Sequence, residues 1–178
     1  MNWITKFIKP KIKSLFKKKS SVSGSDSLWT TCGCKNLIYK EELKVNFNCC
    51  PKCGLHHKLS CKERFDLFFD NSVYEIIKTP VPNDDPLNWT DNKKYTDRLR
   101  SARQLTNQDD AILVANGNVN NINVTVGAQD FRFIGGSFGA ASGEAFIAGI
   151  QHSIEKRTPF IFFSCSGGQR MMESSIAL

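Results

Sequence analysis

Four cysteines set in two short knuckles are the residues whose spacing most plainly encodes chemistry. Cys32 and Cys34 flank a single glycine, and Cys50 and Cys53 sit in CPKCG, giving C-x-C-x15-C-x2-C. Four thiolates carried on two tight turns suit one tetrahedral Zn2+, because each knuckle delivers two sulfurs without straining the chain. Gly54 can take the turn conformation that aims backbone amides at sulfur. The first knuckle is one residue shorter than C-x2-C, and Cys49, His56 and His57 stand close enough in sequence to substitute in it. For the two histidines, a polar surface pair is the simpler expectation. Cys61, near a helix start, could be mildly acidified, and Cys165, in an apolar stretch, reads as inert.

A second chemistry lies in the glycines. The apolar run FIFFSC (160–165) enters Ser166-Gly167-Gly168 and then a polar stretch that reads as a helix. A strand that ends in such a turn leaves N–H groups pointing into it. With no side chains at Gly167 and Gly168, a substrate carbonyl could approach them, as in an oxyanion hole; each good donor there supplies about 3 kcal/mol of transition-state stabilisation. This use requires both N–H groups to face open space. Gly135 and Gly136 form a similar turn one unit earlier, and Gly139 and Gly143 would let the next helix approach a neighbour or ligand closely. Tight packing alone would also account for these glycines. There is no G-x-x-x-x-G-K-[ST], no G-x-G-x-x-G and no G-x-S-x-G, so phosphate-loop, dinucleotide and nucleophile-elbow readings fall away.

The elements that must hold these turns follow from patterning. Residues 29–57 read as short and turn-rich. A helix is predicted from Ser60 to Asp70, with Ser60 and Glu63 forming a capping box and Phe65, Phe68 and Phe69 an apolar stripe. Three prolines in 79–89 forbid a long regular element. A second helix is expected over Tyr95–Leu105, with Leu99, Ala102 and Leu105 inward and Arg98, Arg100 and Arg103 outward. Two β-branched stretches, AILVANGNV and INVTVGAQDFRF, meet at Asn120-Asn121, a pair that tolerates the positive φ of a hairpin turn. Phe146, Ile150 and Ile154 recur every four residues on a further helix that Lys156, Arg157 and Pro159 terminate. FIFFSC reads as a buried strand. Strand, glycine turn and helix repeated in that order imply an α/β layer.

Composition narrows the class. The chain has 178 residues, 40% apolar and 23% charged, which fits one compact domain, or one domain plus a small appendage, rather than a disordered tail. No apolar run approaches the ~18 residues of a membrane span, and no secretory signal follows the first lysines. Seven cysteines, an odd number clustered toward one end, point to a reducing cytoplasm and metal binding rather than a disulfide framework. The net charge of +7 is local: residues 1–19 hold seven lysines and no acid, and the remaining 17 basic residues match 17 acidic ones. A basic arm (1–19) and a serine-rich linker (20–27) therefore precede the ordered part. The arm could lie on an anionic membrane or a partner subunit, and a poorly ordered arm is the plainer expectation. A zinc-ribbon nucleic-acid binder, with the lysine arm neutralising phosphates, is a competing function, and binding driven by the arm should be weak and fall steeply with salt.

Taken together, LWTTCGCKNLIYKEEL, CCPKCGLHHKLSCKERFDLFFD, AQDFRFIGGSFGAASGEAF and TPFIFFSCSGGQRMMES resemble the carboxyltransferase β-subunit family of bacterial acetyl-CoA carboxylase. The resemblance implies an α/β chain: a zinc ribbon (28–57) followed by the N-terminal, incomplete part (58–178) of a crotonase-like ββα spiral. It implies an enzyme subunit that moves the carboxyl group of carboxybiotin to acetyl-CoA, giving malonyl-CoA for fatty acid synthesis. Cys32, Cys34, Cys50 and Cys53 would match the family's structural Zn2+ ligands. Gly167 and Gly168 would match its amide pair, with Gly135, Gly136 and Gly139 beside the substrate. The implied partners are the carboxyltransferase α subunit, the biotin carboxyl carrier protein and biotin carboxylase. Because the family site lies between subunits, this chain alone is expected to be inactive. An assembly module without chemistry is the remaining alternative.

Overall fold

The structure is a computed structural model that describes residues 28–177. The expected basic arm and linker, residues 1–27, lie outside the described residues, as does Leu178.

A short antiparallel hairpin, β1 (Trp29–Thr31) and β2 (Leu37–Tyr39), opens the described part, with Trp29 opposite Tyr39. It runs directly into a six-residue helix, α1 (Lys40–Val45), which the turn-rich composition had hidden. Cys32, Ile38, Leu43 and Cys50 make the small core of this unit.

Helix α2 (Cys61–Phe68) starts as predicted. The Ser60 hydroxyl accepts the Glu63 N–H, and the Glu63 carboxylate accepts the Ser60 N–H at 2.7 Å. Reciprocal bonds of this kind satisfy two donors that a helix start otherwise leaves unpaired. The Phe stripe holds too: Phe65 and Phe69 are buried and Phe68 is half-buried.

A four-stranded mixed sheet forms the body, in the order β3-β4-β5-β6. Strand β3 (Tyr74–Ile76) and β4 (Ile112–Val119) are antiparallel, as are β4 and β5 (Ile122–Gln129), and β6 (Phe160–Phe163) runs parallel to β5. The hairpin turn falls at Asn120-Asn121, both at positive φ, and the Asp70 carboxylate accepts both of their N–H groups. Strand β5 ends at Gln129, so Asp130–Phe133 turns away instead of continuing it. Alternation sorts the two faces. Ala115, Val124, Val126 and Ala128 pack with Cys61, Phe65 and Phe69, while Ile112 and Val114 pack with Ala145 of α4 (Ala140–Lys156).

Several inward faces differ from expectation. On α3 (Tyr95–Thr106), Tyr95, Leu99 and Ala102 are buried, but Leu105 is 66% exposed. On α4 the buried positions are Ser142, Ala145, Gly149 and Ser153, whereas Ile154 is 70% exposed. The helix approaches its sheet through small residues, and a Cβ on Gly149 would stand 2.8 Å from the Phe160 ring. Strand β6 is half-buried rather than buried, because it lies at the sheet edge. Cys165 lies beyond β6 and is exposed. The helix expected after the last glycine turn is a 3-10 segment, Met171–Ala177, broken at Ser174, whose φ of 50° and ψ of −132° no helix permits.

Candidate functional site

The four predicted cysteines converge. Their sulfurs all lie within 4.8 Å of one another. Cys32 Sγ stands 3.7 Å from Cys53 Sγ, and Cys34 Sγ 3.9 Å from Cys50 Sγ. A zinc–sulfur bond of about 2.3 Å puts the corners of a regular tetrahedron about 3.8 Å apart, so the donor set and its spacing fit a tetrahedral metal. The one-residue deficit in the first knuckle is absorbed locally. Lys35 follows Cys34 at φ 65°, just as Gly54 follows Cys53 at φ 72°, and Lys35 N–H closes the turn on Cys32 O. The Asn36 side chain donates to Cys34 Sγ at 3.2 Å and lowers that thiol to about 6, which favours the ligating thiolate.

The other candidates stay outside the cluster. Cys49 Sγ lies 3.0 Å from His56 Nδ1, across an isolated bridge between the two residues. His57 is half-buried rather than a surface residue, and its Nε2 is buried without a partner. Cys61 is not acidified; burial pushes its thiol up to about 12, and it donates to Ala128 O at 3.1 Å.

The two glycine turns meet side by side. Phe138 N–H donates to Gly168 O and Arg170 N–H to Phe138 O, both at 2.8 Å, forming a short parallel bridge between the segments. The expectation of two free amides at Gly167 and Gly168 is not met. Gly167 N–H donates to Gly135 O at 2.8 Å, and Gly168 N–H donates to the Ser166 hydroxyl at 3.0 Å. The physical reason is the contact between turns: Gly135 brings its carbonyl over Gly167, and the adjacent serine hydroxyl is the nearest acceptor for Gly168. Both glycines are nonetheless exposed.

Two of the earlier glycines serve packing. A Cβ on Gly136 would fall 2.1 Å from the Cys165 carbonyl oxygen, and one on Gly139 would fall 2.8 Å from both Arg170 Nη1 and Glu173 Oε1. Gly135 has open space where a Cβ would be, but its φ of 67° favours glycine. Sequence patterning missed the polar side chains around these turns. Gln129 donates to Gly136 O and accepts Cys165 N–H, tying the two turns at one end. Arg170 and Glu173 do so at the other, and a pair of opposite charges three residues apart was their only signal.

Comparison with known proteins adds what geometry alone does not. No protein-family profile matches the chain. Over its whole length it is 49% identical to the acetyl-coenzyme A carboxylase carboxyl transferase subunit beta of Pelagibacter ubique (strain HTCC1062), covering 58% of that protein. It is 40% identical over its whole length to the subunit of the same name from Beijerinckia indica subsp. indica, covering 61% of that protein. Over its whole length the chain is similar to proteins named acetyl-coenzyme A carboxylase carboxyl transferase subunit beta. It spans little more than half the length of these relatives. A solved structure of transcarboxylase 12S with methylmalonyl-coenzyme A and methylmalonic acid bound matches with a TM-score of 0.50 at 19% identity. That match covers 67% of this chain and 21% of the other, and it shows the fold: mixed α/β and crotonase-like, with the β4-β5 hairpin and α4 as one ββα unit.

Proposed function

We propose that the chain is part of the carboxyltransferase of a biotin-dependent acetyl-CoA carboxylase and contributes to forming malonyl-CoA. The observation that carries this reading is the 49% identity over the entire chain to a carboxyl transferase β subunit. The fold and the cysteine cluster support it. Carboxybiotin, held by a carrier protein, would supply the carboxyl group and take up the methyl proton of acetyl-CoA. What this chain provides is a place for the negative charge that develops on the thioester oxygen when that proton leaves. Of the two amides expected to serve, Gly168 N–H alone is held by nothing more than a rotatable hydroxyl, and a main-chain donor of that kind suits the task. An incoming oxygen would displace the Ser166 hydroxyl from Gly168 N–H, a side-chain rotation at an exposed position. Gly167 N–H stays bonded to Gly135 O and helps to hold the turn in place. Gly136 and Gly139 act through packing and need touch no substrate.

The cysteine cluster holds a single structural Zn2+ in this reading, a closed four-sulfur site with no position open for a substrate. The partners are an α subunit, the biotin carboxyl carrier protein and biotin carboxylase. The test is to mix the purified chain with the α subunit, a carboxybiotinylated carrier and acetyl-CoA and to follow malonyl-CoA. The chain alone should form none. Formation dependent on both chains supports the reading, and no formation in an assembled complex refutes it.

A further inference from the structure

The carboxyl-transfer reading leaves unused the most thoroughly bonded side chain among the described residues. Arg170 is 1% exposed, and every nitrogen of its guanidinium is engaged. Nη1 and Nη2 grip the Asp110 carboxylate as a fork at 2.6 and 2.8 Å. Nε donates to the Ser137 hydroxyl and Nη2 to the Ser137 carbonyl, at 3.1 and 2.7 Å. Nη1 also meets Tyr95 OH and Glu173 Oε1, both at 3.3 Å. Burial opposes its charge, and Asp110 more than offsets that, so the group stays protonated. The Glu173 carboxylate accepts the Tyr95 hydroxyl and, at 2.6 Å, the Ala140 N–H in the first turn of α4.

We propose that Arg170 is a positioning residue, which locks the Ser166–Gly168 turn against Gly135–Gly139 so that Gly168 N–H keeps one geometry when the acyl oxygen arrives. The inference rests on the carboxyl-transfer reading for its consequence and on the bonding alone for its mechanism. Arg170 lies two residues past Gly168 in the chain, and its guanidinium spans α3, the Asp110 loop and the segment leading into α4. The missing side chain at Gly139 is the space that the guanidinium occupies. A planar fork is required, because an ammonium group cannot bond Asp110 at two points while also reaching Ser137.

Two readouts on Arg170→Lys test this. In the complex with its α subunit, kcat should fall about 100-fold, the scale on which a misplacement of about 1 Å acts, while KM for acetyl-CoA changes less than about threefold. In the full chain alone, hydrogen exchange of the peptide covering Ser164–Met171 should speed at least about tenfold while exchange in β4 and β5 is unchanged. Asp110→Asn, which keeps the shape but weakens the fork, should show the same pattern to a smaller degree and carries the test if Arg170→Lys does not fold. Unchanged exchange at the turn in a folded variant overturns the proposal, as does a rise in KM with kcat intact. Should the wild-type complex itself prove inactive, the functional reading fails, and the exchange result still decides whether Arg170 locks the turn.

Discussion

Adjacent glycines in the first turn are required for different reasons, and the difference is measurable. At Gly136 a methyl group would overlap the Cys165 carbonyl at 2.1 Å and also sit at φ 63°, so Gly136→Ala should cost about 3 kcal/mol or more. At Gly135 only the left-handed φ is strained, and Gly135→Ala should cost about 1–2 kcal/mol. Urea midpoints of the two variants check the order. Lys35 occupies a left-handed position where the second knuckle has glycine, so Lys35→Gly should stabilise the cysteine unit by about 0.5–1 kcal/mol against chelator-induced unfolding. If the cluster holds zinc, the purified chain should carry one equivalent by elemental analysis, and Cys34→Ser should lower that content. Cys61 sets a pH dependence. Its folded thiol is held at about 12 against an ordinary value of 9.0, so the unfolded chain loses its proton first as pH rises. Stability is therefore fully present below pH 9 and declines from there toward pH 12; a flatter decline in Cys61→Ala checks it.

Elements were legible where local chemistry dictated them. The Ser60–Glu63 box marked the start of α2 to the residue, and Ser60→Ala should cost about 1 kcal/mol in a thermal or urea melt. Asn120-Asn121 likewise marked the hairpin, because few residue pairs tolerate two positive φ values in succession. Helix α4 was legible as a helix but only in part in its orientation. Its hydropathic period points to Phe146, Ile150 and Ile154; Phe146 does meet the Phe160 and Phe162 rings of β6, but Ile154 is exposed and the buried positions are Ser142, Ala145, Gly149 and Ser153. Close contact selects small side chains, which hydropathy does not register. Ile154→Asn should therefore change the melting free energy by less than about 0.5 kcal/mol, whereas Gly149→Val should be severely destabilising against Phe160 and Val114. Strand β3 was missed because three residues carry no period to read, and α1 because six residues within a cysteine unit resemble turns.

At the scale of the molecule, the cysteine cluster was legible from spacing, and the α/β layer from the order of strand, glycine turn and helix. The use of the glycine amides was not, because whether an N–H is free depends on what the fold lays beside it. Here one turn lies on the other, and Gly135 O and Ser166 Oγ take the two donors. The polar ties that set this contact, Gln129 and the Arg170 cluster, join residues up to 78 apart in the chain, a separation at which no local pattern operates. Strand β6 carries a further consequence. Among the described residues it is hydrogen-bonded to a neighbour on one side only, and its FIFF sequence is half-buried. An unpaired, aromatic ladder edge of this kind recruits whatever strand it meets, and concentrated samples of the isolated polypeptide should oligomerise through it. Light scattering that falls when a lysine replaces Ile161 would identify β6 as the sticky rim.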